Sequence, residues 1–115
     1  MENKISIDDF KKTEIKIGKI LSAEKTEGSD KLLKLMVDFG EETPRQIISG
    51  IALYFPDTAA LVGKKCAFCT NLQPRVIRGF ASDGMILAAS GQNGDGDFFS
   101  LLEVPPNVAP GAAVH

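Results

Sequence analysis

The chain has 115 residues, 43% of them hydrophobic and 24% charged, and carries a formal net charge of −2. That length suits one domain over residues 1–115, burying roughly two-thirds of the surface its unfolded form exposes. No apolar run approaches the ~18 residues of a membrane span, and the polar start Met1-Glu2-Asn3-Lys4 is no export segment, so no membrane contact and a cytoplasmic location are expected.

Ser6-Ile7-Asp8-Asp9-Phe10 carries a helix start, with Ser6 as cap and Asp9 at the capping-box position. The helix must be short, because Glu14-Ile15-Lys16-Ile17-Gly18-Lys19-Ile20 alternates polar and apolar residues at period two. This predicts a first strand, with Gly18 as a site of bend or bulge. Glu27-Gly28-Ser29-Asp30 is a turn, and the apolar content of Lys31–Phe39 suits a central strand. A second turn, Gly40–Pro44, leads into a third strand opened by Arg45. Pro56–Gly63, with proline and aspartate early and glycine last, predicts one or two helical turns. Strands are expected at Lys64–Asn71, Gly84–Ser90 and Phe98–Glu103, with a glycine-rich loop Gly91–Asp97 before the last and a proline-punctuated tail after it.

A short helix between the third and fourth of five short strands is the layout of the OB-fold, a partly open Greek-key barrel. An unrelated small barrel or sandwich gives similar strand spacing. The expected class is all-β: a five-stranded OB-fold barrel with short helices and terminal extensions.

Charge is unevenly spread. Between Thr58 and Ser82 the chain carries Lys64, Lys65, Arg75 and Arg78 and no acidic residue, whereas residues 83–115 carry acids and no Lys or Arg. Cys66 and Cys69 form a Cys-x-x-Cys, but three residues apart on a strand they face opposite ways and cannot grip one ion. Asn93-Gly94-Asp95-Gly96-Asp97 echoes a calcium loop but lacks the distant glutamate and the flanking helices. The single histidine is His115, and no paired carboxylates, nucleophile triad or phosphate-cradling glycine motif occur, so neither catalysis nor a cofactor is expected.

Ordered blocks go further. Ser29-Asp30-Lys31-Leu32-Leu33-Lys34-Leu35, Arg45–Ala52, Leu61–Lys65, Asn71-Leu72-Gln73-Pro74, Arg78-Gly79 and Ser82-Asp83-Gly84-Met85 occur in that sequence. Together they resemble the tRNA-binding OB domain found at the C-terminus of bacterial methionyl-tRNA synthetases. That family also includes a free-standing tRNA-binding protein, eukaryotic synthetase cofactors and the secretion chaperone CsaA. The resemblance runs from about Ile5 to Val114. Departures are Glu27-Gly28 where the family usually has proline, Gln73 where a lysine is common, and an acidic overall balance.

The resemblance implies tRNA bound without reaction, a homodimer, and attachment to or partnership with the catalytic part of methionyl-tRNA synthetase. Its CsaA branch implies a peptide-binding chaperone instead. The residue types fit RNA. Lys31, Arg45, Arg75 and Arg78 can hold phosphates, where each contact releases a condensed counterion. Asn71 and Ser82 can hydrogen-bond phosphate or ribose, and Met85 is a soft apolar contact for a base or sugar. Each has a structural reading too: Arg45 can pair with Glu41 or Glu42, Asn71 can bind its own loop, Met85 can pack in the core, and Lys64 and Lys65 can serve a helix C-terminus. With no Trp, one Tyr and seven Phe, of which Phe39, Phe68, Phe98 and Phe99 are expected in the core, no series of base-stacking platforms is evident. Recognition of a folded RNA through backbone and shape fits better. The uncharged tail Val104–Val114 offers apolar surface that two subunits could share.

Overall fold

Alternation of apolar and polar residues governs the longest elements, as a computed structural model describing residues 3–115 shows. Helix α1 is one turn, Ile7–Phe10, where the Asp9 amide donates to Ser6 Oγ at 3.0 Å. Strand β1 (Ile15–Lys25) then runs long enough to pair with β2 (Leu33–Asp38) over its second half and β4 (Lys65–Cys69) over its first. In β2, Leu33, Leu35 and Val37 point inward and Lys34, Met36 and Asp38 outward, the strict alternation of a strand covered on one face. Strand β3 (Arg45–Ser49) follows the Gly40 turn. A 3-10 turn at Ala52–Tyr54 and a second at Thr58–Leu61, capped by Asp57 and ended by Gly63 at φ 91°, replace any longer helix before β4.

The main antiparallel sheet has the order β3-β2-β1-β4-β7, with β7 (Met85–Ile86) at one edge and β10 (Ala113–Val114) added to β1. It curls around a core of Ile20, Leu33, Leu35, Val37, Phe39, Ile47, Leu61, Phe68 and Ile86, with Phe39 and Phe68 edge to face at 5.2 Å. The open side between β3 and β7 is closed by Ser82–Gly84 and not by a strand ladder: Asp83 N donates to Gln46 O, and Gly84 lies against Ile47. This is the all-β OB-like barrel that the strand pattern anticipates.

Several details differ from expectation. The register shift in β1 falls between Ile20 and Ser22, so the bulge is at Leu21 and not at Gly18. Gly18 answers a packing need instead: a Cβ there would sit 2.5 Å from Val37 Cγ1 and 2.6 Å from Phe39 Cε1. The second strand starts at Leu33, leaving Lys31 in the preceding bend. The expected strand Gly84–Ser90 breaks into β7 and β8 (Ala88–Asn93). The expected loop Gly91–Asp97 is mostly strand, since β8 pairs with β9 (Gly96–Leu101) down to Asn93 opposite Gly96. Glycines predicted a loop there, but cross-strand pairing lays the Phe98 ring over Gly91 and keeps the ladder intact. Phe98 is accordingly 45% exposed and not core. The stretch between the expected strands Lys64–Asn71 and Gly84–Ser90 forms a hairpin of β5 (Arg75–Ile77) and β6 (Phe80–Ser82).

The tail turns back on its own barrel. Gly111 N donates to Ile17 O at 2.7 Å and Ile17 N to Ala112 O at 2.9 Å, with β10 continuing the pairing. Cys66 and Cys69 are both buried in β4, and burial pushes the Cys66 thiol up to about 11. Among the described residues no three His, Cys, Asp or Glu side chains converge as a metal site, and no helix is long and apolar enough to cross a membrane.

Candidate nucleic-acid interface

In OB barrels the ligand face is that of strands two and three, flanked by the loop after strand one and the loop after strand four. Here those are the outer faces of β2 and β3, the bend holding Lys31, and residues 70–84. The β5–β6 hairpin projects from the last of these as an arm. Gln46 Nε2 donates to Ala81 O at 2.8 Å, the buried Ile48 amide donates to Ser82 Oγ at 2.9 Å, and the Lys34 ammonium lies 5.8 Å from the Phe80 ring centre. Three contacts to β2 and β3 thus orient the arm.

Its tip is a two-residue turn, Arg78-Gly79, between the paired residues Ile77 and Phe80. Both tip residues have positive φ, 53° and 85°, as a type I′ turn requires. Arg78 is the one non-glycine residue in that region among the described residues, where an Asn or Gly would sit with less strain. A guanidinium is thereby held at the most projecting point of the arm at some cost in stability. Arg78→Asn is expected to leave stability unchanged or raise it by up to about 1 kcal/mol while weakening RNA binding, as thermal melts and anisotropy titrations would read.

Arg75 stands at the arm's base opposite Ser82, roughly 10 Å from Arg78 at ~3.3 Å per residue. Neither arginine, nor Lys31, enters an ion pair among the described residues, and all three are exposed. Arg75 also borders a pocket of about 490 Å³ with Leu72, Gln73, Pro74 and Met85. Met85 is 42% exposed, opening the β7 edge instead of filling the core. A cation beside an apolar recess suits a phosphate next to a base or sugar.

The other three sequence candidates are committed to the fold. Arg45 donates to both oxygens of Glu41 (2.9 and 2.8 Å) and to Thr70 O at 2.7 Å, with its guanidinium 5.3 Å from the Phe39 ring centre. Asn71 accepts from Glu14 N at 2.8 Å and donates to Lys12 O at 2.7 Å, tying its loop to the start of β1. Ser82 is buried and holds the arm through Ile48. Lys64 pairs with Glu103 at 3.0 Å and Lys65 donates to Pro106 O, so both anchor the tail. Sequence reading missed Lys34 and Gln46 as arm supports. Their signal is present, since Lys34 sits between inward Leu33 and Leu35, but what covers an outward face is not written in the alternation.

The Arg45 hydrogen bond holds the Glu41 carboxyl below its ordinary value, and the Thr70 hydroxyl does the same for Glu14. Groups whose pKa falls on folding stabilise the native state above about 4.5, and that stability is lost as pH drops through their depressed values. Melting temperature should therefore fall between about pH 5 and pH 3, less steeply in Glu41→Gln. The difference will be modest, because the Glu41 side chain is 37% exposed.

The family model described as "Putative tRNA binding domain" matches residues 15–113, spanning the barrel, the arm and the pocket. The chain belongs to that family. Among curated relatives, a methionine–tRNA ligase of Methanoregula boonei is 53% identical over 112 residues, and one of Enterococcus faecalis 43% over 113. These alignments cover 96% and 98% of this chain but 16% of each ligase, so the chain spans about one-sixth of the curated relatives it matches. Among solved structures, a MetRS-related protein of Pyrococcus horikoshii superposes with a TM-score of 0.87 at 40% identity, covering 98% of this chain and 99% of that one. The CsaA chaperone of Picrophilus torridus gives 0.79 at 26%, covering 97% and 100%. The domain is thus of a non-catalytic, tRNA-binding kind related to methionyl-tRNA synthetase.

Proposed function

We propose that this domain binds folded tRNA along the β2–β3 face and the β5–β6 arm, and delivers it to methionyl-tRNA synthetase. The observation that carries this reading is the pair of guanidiniums, Arg75 and Arg78, that form no ion pair among the described residues and stand on an arm beside the Leu72–Met85 recess. Lys31 adds a third cation at the opposite loop. Arg45, Asn71 and Ser82 act through the fold by holding the loop and arm in place, and Met85 supplies apolar contact. The net charge of −2 keeps non-specific binding to polyanions weak, so docking is confined to this rim.

The chain works as one unit over residues 1–115, in the cytoplasm, as part of a longer synthetase or as its separate subunit. A modest affinity suffices, because linkage or dimerisation raises the effective concentration of tRNA at the catalytic body. Anisotropy of labelled tRNA at two salt concentrations tests the reading: affinity must fall steeply with salt. A dissociation constant indifferent to salt rejects it. Gel filtration at micromolar concentration tests the homodimer, which a monomeric elution removes.

A second reading has one observation in its favour. The apolar recess and the likeness to a CsaA chaperone suit an unfolded peptide segment. Suppression of a client's light scattering without tRNA binding would promote that reading over the first.

A further inference from the structure

We propose that the pocket between the Ala52–Tyr54 turn and the β8–β9 hairpin accepts an arginine side chain from a basic segment of a partner protein. The pocket is about 470 Å³ and shares no residue with the arm or its recess. One wall is aromatic. Tyr54 stacks flat on Phe99 with ring centres 4.0 Å apart and planes 4° from parallel, and Phe55 meets Phe99 edge to face at 6.0 Å. Tyr54 remains 56% exposed, so one π-face is free.

The rim is polar and anionic. Asp97 lies two residues before Phe99 on β9 and therefore on the same face of the hairpin, and its cross-strand partner Gln92 and that of Phe99, Ser90, join the lining together with Gly91 and Phe98. The Asp97 carboxylate makes no ion pair, and the Ser90 and Gln92 side chains make no hydrogen bond, among the described residues. Asp95 stands at the hairpin turn, and residues 83–115 contain no Lys or Arg.

This chemistry selects its occupant. Among the described residues no cation lines this pocket to receive phosphate, and the Asp97 carboxylate disfavours RNA there. A guanidinium can lie on the Tyr54 face and donate two hydrogen bonds to the Asp97 carboxylate. The β2–β3 face and this pocket then divide the domain into a cationic side for nucleic acid and an anionic aromatic side for protein.

Tyr54 is the only tyrosine and there is no tryptophan, so tyrosine fluorescence reports on this pocket alone. The probe is a short peptide in which arginine alternates with glycine and leucine, compared with the same peptide carrying citrulline. The arginine peptide is expected to change Tyr54 emission saturably, and the citrulline peptide to bind about ten-fold more weakly. Asp97→Asn should weaken arginine-peptide binding about three-fold. Tyr54→Leu, which keeps an apolar contact to Phe99, should weaken it by a similar factor in calorimetry. Neither variant should alter tRNA binding by anisotropy. Equal binding of the two peptides, no saturable change, or an unaffected Asp97→Asn overturns the proposal. A Tyr54 signal that responds to tRNA, or to dilution of the domain alone, assigns the pocket to RNA or to a second copy and also overturns it.

Discussion

The Arg75→Ala/Arg78→Asn double variant is expected to bind tRNA about a hundred-fold more weakly than the parent at low salt. Each exposed charge-assisted contact contributes roughly 1.5 kcal/mol, about a factor of ten. The log–log salt slope should shrink by roughly 1.5, since each lost phosphate contact removes ~0.7–0.9. Folding should be undisturbed, because neither guanidinium has an ion-pair partner among the described residues and asparagine tolerates the positive φ at position 78. The comparison with Arg45→Ala is informative. Arg45 is tied to Glu41 and Thr70, so its loss should lower stability first and affinity second. A double variant with parental affinity and parental slope would remove the arm from the binding site.

Phe68→Ala should destabilise the domain by about 3–5 kcal/mol. Phe68 is fully buried in β4 and packs edge to face on Phe39. That is a large share of the ~5–15 kcal/mol typical of a single domain. Melting temperature should drop by about 10–25 °C, measured by circular dichroism. Gly18→Ala probes the same cluster from the other direction. Its added Cβ would press on Val37 and Phe39, the latter the ring that meets Phe68, and overpacking of this kind costs about 1–3 kcal/mol. A Phe68→Ala melt close to that of the parent would mean that the core is not built around this pair.

Period-two alternation made β1, β2 and β3 legible, because each buries one face against the core and leaves the other to solvent. Ser6 and Asp57 marked their helical turns through caps that need only local chain geometry. In the β8–β9 hairpin both flanks were legible as strands, but the Gly91–Asp97 stretch between them was not: its glycines lower strand propensity, and only cross-strand pairing, with the Phe98 ring against Gly91, supplies the missing packing. At the site, residue type nominated Lys31, Arg45, Arg75 and Arg78 alike. The sequence could name Glu41 as a local partner for Arg45, but not that Thr70 O would complete its hold, nor that Arg75 and Arg78 would meet no carboxylate among the described residues.

The family and the barrel were therefore set by the sequence alone, since ordered motifs, alternation and turn residues act over short stretches of chain. The same holds for an acid-free cationic segment that can meet a polyanion. Which cations stay free, and which secure the fold, was decided only by tertiary structure. Charge pairing depends on distance in space: Lys64 meets Glu103, 39 residues on in the chain, and Arg45 adds Thr70 O to its local partner Glu41, whereas the tight turn at Arg78-Gly79 holds its guanidinium where it meets no carboxylate among the described residues.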